Sequence, residues 1–381
     1  MKLTRDKTTD LTPPTPKQMK YKITILSLLI ASALYAEAQP VANPPYSVSV
    51  FAPPPANLTN PDSITTAKGK IFVVYANSTN ADGTGGNSTI AEYDPSGKML
   101  RTFEVVGKAD GLKFNPFDNR LWALRNEDSN PALTLIDPES GAKFDYTYAQ
   151  LPPTHGGGYD DVVFTKDATF ISASNPTPLQ PPTPSTPNGQ NIFPSIVKAR
   201  IVGHQIFVTP VLNGTDPLID IATGATVVAQ QSDPDSLKAD SAGNLVLDSQ
   251  ADGDLIFVNA PGEPNQAALR LHLTDGTPNQ ITVDDTAFPT APSGTIYVVD
   301  TKADTVYAVT SNAFQPGGAY SASDSDGILG KVDLSTGLVT PIVTGLLSPH
   351  GALFIATDFR SDDEDNREEI NETSKRNLNR P

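Results

Sequence analysis

The apolar residues of this chain fall into short runs that are separated by turn residues. The runs 70–75, 120–124 and 295–299 are rich in β-branched and aromatic side chains, and each follows a Gly or Asn that is typical of a turn. Between Tyr46 and Ile355 no stretch keeps the 3.6-residue period of an amphipathic helix. The pattern therefore predicts an all-β domain.

A short phrase recurs six times, and each copy precedes a strand-like run. Each copy has an Asp or His, then a small residue or a second Asp, and then the first apolar residues of a strand. The copies centre on Asp62, Asp110, Asp161, Asp235, Asp285 and His350. Their intervals are 48, 51, 74, 50 and 65 residues, whereas a four-stranded propeller blade takes about 40–50 residues. The spacing predicts a β-propeller of six blades, and the longest interval leaves seven open.

Two of the intervals are longer than one blade needs. They contain the Pro-rich segment 176–187 and the Gly- and Ser-rich segment 311–327. We predict loops on one face for both, since proline interrupts a sheet ladder. Residues 46–51 precede the first copy of the phrase and residues 352–355 follow the last. We predict that these two end strands pair in one blade and close the ring, which protects the sheet edges.

The chain divides into three parts. Residues 1–38 combine an N-terminal extension with a signal peptide, because a basic stretch precedes the apolar run 23–34 and Ala36-Glu37-Ala38 matches a cleavage site. Residues 39–359 form the propeller domain. Residues 360–381 are charged and nearly devoid of apolar side chains, which predicts a disordered tail. We therefore expect an exported monomer, secreted or periplasmic, without a membrane span after cleavage.

Composition excludes several classes of protein. Cysteine is absent, so neither disulfides nor thiolate ligands are available. After cleavage 21 Lys and Arg would face 40 Asp and Glu, a net charge of −19. This balance excludes nucleic acid as a partner, because phosphates need a basic footprint. It suits a protein partner, a small-molecule ligand or a cation.

Propeller geometry is expected to bring the repeated residues to one mouth of the central channel. Carboxylates around a narrow opening suit calcium or magnesium, which take oxygen ligands; no motif assigns another cofactor. The candidate metal ligands are Asp62, Asp110, Asp161, Asp235 and Asp285. An Asp at this position can instead brace the fold by accepting backbone N–H groups of the next blade. In the doublets 160–161 and 284–285, one carboxyl is expected to face the channel while the other braces the loop. His350 is the candidate general acid or base.

The repeated phrase, Asp-Pro turns such as 137–141 and the ending Ser348-Pro349-His350-Gly351 resemble the NHL-like and gluconolactonase-like β-propellers. The resemblance covers residues 46–355. It implies a propeller fold and, for the lactonases of this superfamily, a divalent cation held at the channel mouth by Glu, Asn and Asp. No Glu of this chain matches that pattern near Asp62. Streptogramin-type lyases of similar fold use a Pro-His-Gly loop, which residues 349–351 match.

Two functions are consistent with these residues. The favoured one is an exported, non-enzymatic propeller that binds a ligand or protein partner through its loop face. The alternative is a metal-dependent, lactonase-like hydrolase or a lyase at the channel mouth, with His350 and channel acids such as Asp161 and Asp285. The alternative requires His350 to face an open channel, whereas a binding protein tolerates a buried histidine there.

Overall fold

The structure is a computed structural model, and it describes residues 39–127, 130–150, 158–173, 193–240 and 242–357. Within these residues the chain forms 27 β-strands and no helix, so the all-β prediction is confirmed. None of the described segments makes a helix long and apolar enough to cross a membrane. The predicted signal peptide, the tail and the Pro-rich segment 176–187 lie outside the described residues.

The strands are short and follow one another along the whole described chain. The first fourteen are β1 Val41–Ala42, β2 Ser47–Ala52, β3 Pro61–Ala67, β4 Lys70–Tyr75, β5 Asn87–Tyr93, β6 Met99–Val106, β7 Ala109–Asn115, β8 Arg120–Arg125, β9 Ala132–Ile136, β10 Lys143–Tyr148, β11 Val162–Phe164, β12 Thr169–Ser172, β13 Pro194–Val202 and β14 Gln205–Asn213. The others are β15 Pro217–Asp220, β16 Thr226–Val228, β17 Pro234–Ala239, β18 Leu245–Ser249, β19 Asp254–Asn259, β20 Ala267–His272, β21 Asp285–Ala287, β22 Gly294–Asp300, β23 Thr305–Ser311, β24 Ala319–Ser323, β25 Ile328–Val332, β26 Val339–Thr344 and β27 Pro349–Ala356.

The first four antiparallel sets of strands follow the chain order. Set 1 is β3 to β6, set 2 is β7 to β10, set 3 is β11 to β14 and set 4 is β17 to β20. Two parallel pairings extend them. β10 of set 2 pairs with β14 of set 3, and the hairpin β15–β16 joins set 4 through β20.

The last two sets are interleaved along the chain. Set 5 contains β21, β24, β25, β26 and β1, and set 6 contains β27, β22, β23 and β2. The chain therefore leaves set 5 after one strand, builds the middle of set 6, returns to set 5 and ends with the first strand of set 6. The end strands β2 and β27 share one sheet, as predicted, but they do not pair with each other, because β22 and β23 lie between them.

One predicted loop contains a strand. Segment 311–327 includes β24, whose five residues are all buried. Four small side chains and the fully buried Tyr320 let β24 pack between β21 and β25, and this packing outweighs the loop-like composition. The prediction of a continuous loop there was wrong.

The first strands of the sets surround a channel. Among the described residues, six of them contact one another in a closed ring, from β3 through β7, β11, β17 and β21 to β27 and back to β3. Apolar side chains fill the space between neighbouring sets: Leu112 and Leu121 of set 2 pack with Phe72 of set 1. The chain is a β-propeller. Each set is packed on both faces, which explains why second strands such as β4 and β8 are buried along almost their whole length.

The repeated phrase coincides with irregularities in the first strands. The register shifts between Pro61 and Ile64 in β3, and equivalent shifts occur in β7 and β17. A bulge bends the strand and redirects a side chain. The phrase therefore marks the place where a first strand turns a polar side chain toward the channel.

The Asp-Pro turn at residues 94–97 packs closely against Phe51 of β2, and a substitution can test this contact. Asp94 Oδ1 accepts the backbone N–H of Ser96 at 2.8 Å, and Gly97 has a φ of 83°. A Cβ at Gly97 would lie 1.9 Å from the Phe51 carbonyl oxygen, whereas one at Gly224, with a φ of 69°, would meet no atom within 4 Å. We expect Gly224→Ala to lower the free energy of unfolding by about 1–2 kcal/mol, the cost of a left-handed backbone for a residue with a Cβ. Gly97→Ala should lower it clearly more. Urea denaturation measures both, and equal losses would contradict the close approach to Phe51.

Candidate functional site

The channel opens at one end into a cavity of about 260 Å³, here called the mouth cavity. All of its lining side chains are polar: seven carboxyls, two bases and one amide. They belong to Asp62, Lys108, Asp110, Glu127, Asp160, Asp233, Asp235, Gln250, Asp284 and His350. Most small-molecule pockets are largely apolar, so this lining favours a cation or a strongly polar molecule.

The ring of first strands positions most of these side chains. Asp62, Asp110, Asp235 and His350 are the second residues of β3, β7, β17 and β27. Antiparallel pairing brings the end of each second strand back to the same face. For this reason Glu127 and Gln250, which lie just after β8 and β18, reach the same cavity.

The structure separates the five predicted metal ligands into two groups. Asp62, Asp110 and Asp235 line the mouth cavity. Asp161 and Asp285 do not, and their predicted position is corrected: in each doublet the first acid, Asp160 or Asp284, lines the cavity. Successive side chains of an extended chain point to opposite sides, so only one member of a doublet faces the cavity.

Asp161 and Asp285 connect neighbouring sets. Asp161 Oδ2 accepts hydrogen bonds from Lys113 Nζ of set 2 and from the Leu237 N–H of set 4, both at 3.0 Å. Asp285 lies 2.7 Å from Lys238 Nζ of set 4 and accepts the Ala352 N–H of set 6 at 2.8 Å. Each carboxylate therefore joins three consecutive sets around the ring.

On one side of the mouth cavity, Lys108 lies between two carboxyls. Its Nζ is 2.9 Å from Asp110 Oδ2 and 2.8 Å from Glu127 Oε1. Burial disfavours the charged amine, but the charges of Asp110 and Glu127 outweigh this and raise the pKa of Lys108. Burial and the charge of Asp62 raise the pKa of Asp110 to about 6. Burial and the charge of Asp110 raise the pKa of Glu127 to about 7.

The remaining channel acids are also held toward their protonated forms. Burial is the main cause for Asp160, Asp235 and Asp284, and it raises the pKa of each well above the ordinary range. Repulsion adds to it: Asp284 acts on Asp235, and Glu127 acts on Asp160. Without a bound cation, these shifts favour the protonated forms of the carboxyls that line the mouth cavity.

His350 faces this acidic cavity with its side chain 18% exposed. Its Nδ1 lies 3.0 Å from the Ser348 carbonyl oxygen and its Nε2 lies 3.7 Å from Asp284 Oδ2. Burial would lower the pKa of His350, but the charges of Asp284 and Asp62 outweigh it and raise the pKa to about 9. The ring is therefore an imidazolium at neutral pH, and its Nδ1–H donates to Ser348.

Four lining residues were not predicted from the sequence: Lys108, Glu127, Asp233 and Gln250. Lys108 and Asp233 stand two residues before marker acids, which is a weak local signal. The local signal is better for Glu127 and Gln250. A second strand runs antiparallel to the first, so a polar residue just after it lies at the face where the first strand begins.

The donor chemistry of the mouth cavity fits a hard cation. Carboxyl oxygens dominate the lining, and Oδ1 of Asp110, in a residue only 6% exposed, accepts no hydrogen bond. Over the described ranges, no three Asp, Glu or His side chains are already drawn together as a metal centre. Ion binding therefore requires some of these side chains to move closer, and the metal-ligand assignment stays a prediction.

Comparison with protein-family models finds no match, and comparison with curated proteins finds none. Solved structures do match. The periplasmic gluconolactonase of Pseudomonas aeruginosa is 14% identical with a TM-score of 0.44, over 82% of this chain and 99% of that one. A streptogramin B lyase is 14% identical with a TM-score of 0.47, over 81% and 91%. The PQQ-bound aldose sugar dehydrogenase of Streptomyces coelicolor is 13% identical with a TM-score of 0.42, over 84% and 96%.

One of these three matches is a gluconolactonase. At such identities and TM-scores, they supply no argument about what this chain binds or does. The function has to be argued from the mouth cavity itself.

Proposed function

We propose that the mouth cavity binds a divalent cation, calcium or magnesium, and that the protein is a hydrolase or lyase for small polar molecules such as lactones. The observation that carries this proposal is the convergence of seven carboxyls and one imidazole on a cavity with a wholly polar lining. Buried carboxyls that repel one another are costly unless they bind protons or a cation. A divalent ion would remove that cost and leave a charged, water-accessible site.

The residues that would hold the ion are Asp62, Asp110, Asp160 and Asp235, because each presents carboxyl oxygens to the cavity and hard cations prefer oxygen ligands. When bound, such an ion supplies a Lewis acid that polarises the carbonyl oxygen of an ester or lactone.

Proton transfer is assigned to two side chains of this chain. His350 is protonated at neutral pH, and Ser348 holds its ring by accepting the Nδ1–H. It can therefore donate a proton to a leaving oxygen as general acid. Glu127 has a pKa of about 7, near the working pH of an efficient general base. Lys108, bound to Glu127 Oε1, positions that carboxyl.

A cation titration of the full-length protein tests the proposal. We expect the thermal midpoint to fall with EDTA and to rise with excess calcium or magnesium, since a ligand at a hundredfold excess over Kd adds about 2.7 kcal/mol. Asp235→Asn should abolish the rise, whereas Asp240→Asn, in an exposed turn at the other face, should keep it. His350→Asn should keep the rise but lower lactone hydrolysis by about 10²–10⁴-fold.

Two results would count against this function. The first is a cation-induced rise in the thermal midpoint of Asp235→Asn that equals the rise in the wild-type protein. The second is a wild-type protein that neither responds to cations nor turns over lactones, which would favour the other sequence-based hypothesis, a non-enzymatic propeller that binds through its loop face.

A further inference from the structure

A second cavity, of about 440 Å³, lies on the face opposite the mouth cavity. The first strand of each set runs from the channel mouth to the turn before its second strand, so these turns lie at the far face. The cavity is formed by the turns after β7, β11, β17 and β19. We call it the turn-face cavity, and it shares no lining residue with the mouth cavity.

The floor of the turn-face cavity is apolar. Phe170 belongs to the core between sets 3 and 4, and Ala168 and Ala239 pack against that core. Phe164 lines the cavity and packs against the neighbouring core. At the rim, Phe117 is 60% exposed. Scattered exposed apolar residues are ordinary, but an aromatic rim over an apolar floor of this volume is the form of a small-molecule pocket.

The charges around the turn-face cavity are not equivalent. Lys166 and Lys198, both from set 3, line it and form no ion pair with any described residue. Asp240, on the facing wall, is engaged by its own turn, since it accepts the N–H groups of Ala242 and Asn244 at 2.8 and 2.9 Å.

Two further acids, Asp167 and Glu263, are exposed at the rim. Lys198 is half-buried and pairs in register with Phe170 of the apolar floor, so water screens its charge less than it screens the charges of those acids. The least screened charge next to the apolar floor is therefore the positive charge of Lys198.

We propose that the turn-face cavity binds a small carboxylic acid that carries an aromatic or alicyclic ring. The ring packs on Phe117, Phe164 and Ala168. The carboxylate lies near the ammonium groups of Lys198 and Lys166. An anion without a ring loses the apolar contact, and a ring with an amine meets the lysines with the wrong charge.

The only Trp of the chain provides the readout. Trp122 packs edge-on against Phe164 with ring centroids 5.0 Å apart, and Phe164 lines the turn-face cavity. Phenylacetate that enters should change the fluorescence of Trp122 saturably, and calorimetry should give the same Kd. Benzylamine and acetate should give no saturable change, because each lacks one of the two features.

Matched variants assign the signal to the cavity. Lys198→Met should weaken phenylacetate binding at least tenfold, which corresponds to 1.4 kcal/mol, and Phe117→Ala should weaken it as well. Lys331→Met, another half-buried lysine on β25, should leave the Kd unchanged. Asp235→Asn should also leave it unchanged, because the mouth cavity lies at the other face.

Three outcomes would overturn the proposal: no saturable binding of phenylacetate, equal or tighter binding of benzylamine, or a Kd that Lys198→Met leaves unaltered. Each of these outcomes can be measured in folded protein. Lys198 and Phe117 reach the surface, so their substitution leaves no cavity in the core. The result is independent of any cation bound at the channel mouth.

Discussion

Asp285→Asn is expected to lower the free energy of unfolding by about 3–5 kcal/mol, whereas Asp284→Asn, one residue earlier, should leave it unchanged or raise it. Asp285 neutralises Lys238 and accepts the Ala352 N–H. Its loss leaves Lys238 half-buried without its counter-charge, and breaking a buried pair in this way typically costs about 3–5 kcal/mol. Burial and the charges of Asp62 and Asp285 raise the pKa of Asp284 and outweigh the opposing charge of His350, so a neutral side chain at this position removes a net cost.

Urea denaturation followed by circular dichroism measures this difference. The doublet 160–161 provides an internal replicate, because Asp161 braces Lys113 and Leu237 while Asp160 lines the mouth cavity. Asp161→Asn should therefore be costly and Asp160→Asn should not. Equal losses for the two members of each doublet would contradict the division between bracing and cavity carboxyls.

The cation-free protein is expected to lose stability steadily as the pH rises from about 4 to 9, and calcium or magnesium should suppress that loss. The pKa of Asp110 rises from 3.8 to about 6 on folding, and that of Glu127 rises from 4.5 to about 7. A raised pKa means that the folded state holds its proton more tightly, so the stabilisation is present at low pH and is lost as the pH rises through the folded value.

His350 also lowers the stability as the pH rises, but over a higher pH range, because its pKa rises from 6.5 to about 9 on folding. One pKa unit corresponds to 1.36 kcal/mol, so the shift of about two units at Asp110 alone is worth about 3 kcal/mol. Thermal melts in EDTA across this pH range measure the loss. Asp110→Asn should flatten the profile between about pH 4 and 6, the interval between the unfolded and folded pKa of Asp110, and Asp94→Asn, in an exposed turn, should not. Stability that increases with pH in EDTA would contradict the protonated mouth cavity.

Part of the candidate site was predictable because the repeat is local. A strand that starts after a fixed phrase starts at the same place in every set, and the first strands of a propeller meet at one channel. Asp62, Asp110, Asp235 and His350 were therefore expected at the mouth, and all four line the cavity. Glu127 was not expected there, since its proximity to Asp110 depends on how β8 returns along β7 and not on distance along the chain.

The doublets show where local pattern stops being sufficient. Asp160 and Asp161 have almost the same sequence environment, yet one lines the mouth cavity and the other binds Lys113. A shift of one residue in an extended chain exchanges the two faces. That choice depends on how the neighbouring sets pack against the strand, and the phrase itself contains no such information.

The amino-acid sequence by itself determined the all-β architecture, the repeated unit and the residues that begin the first strands, because all of these follow from patterns within about 50 residues. Only the tertiary structure decided the interleaving of sets 5 and 6, where β22 and β23 pair with strands from both ends of the chain. It also decided which carboxyls meet at the channel mouth and what surrounds the turn-face cavity. These are contacts between distant segments, and their energies depend on packing and burial that no single stretch of sequence specifies.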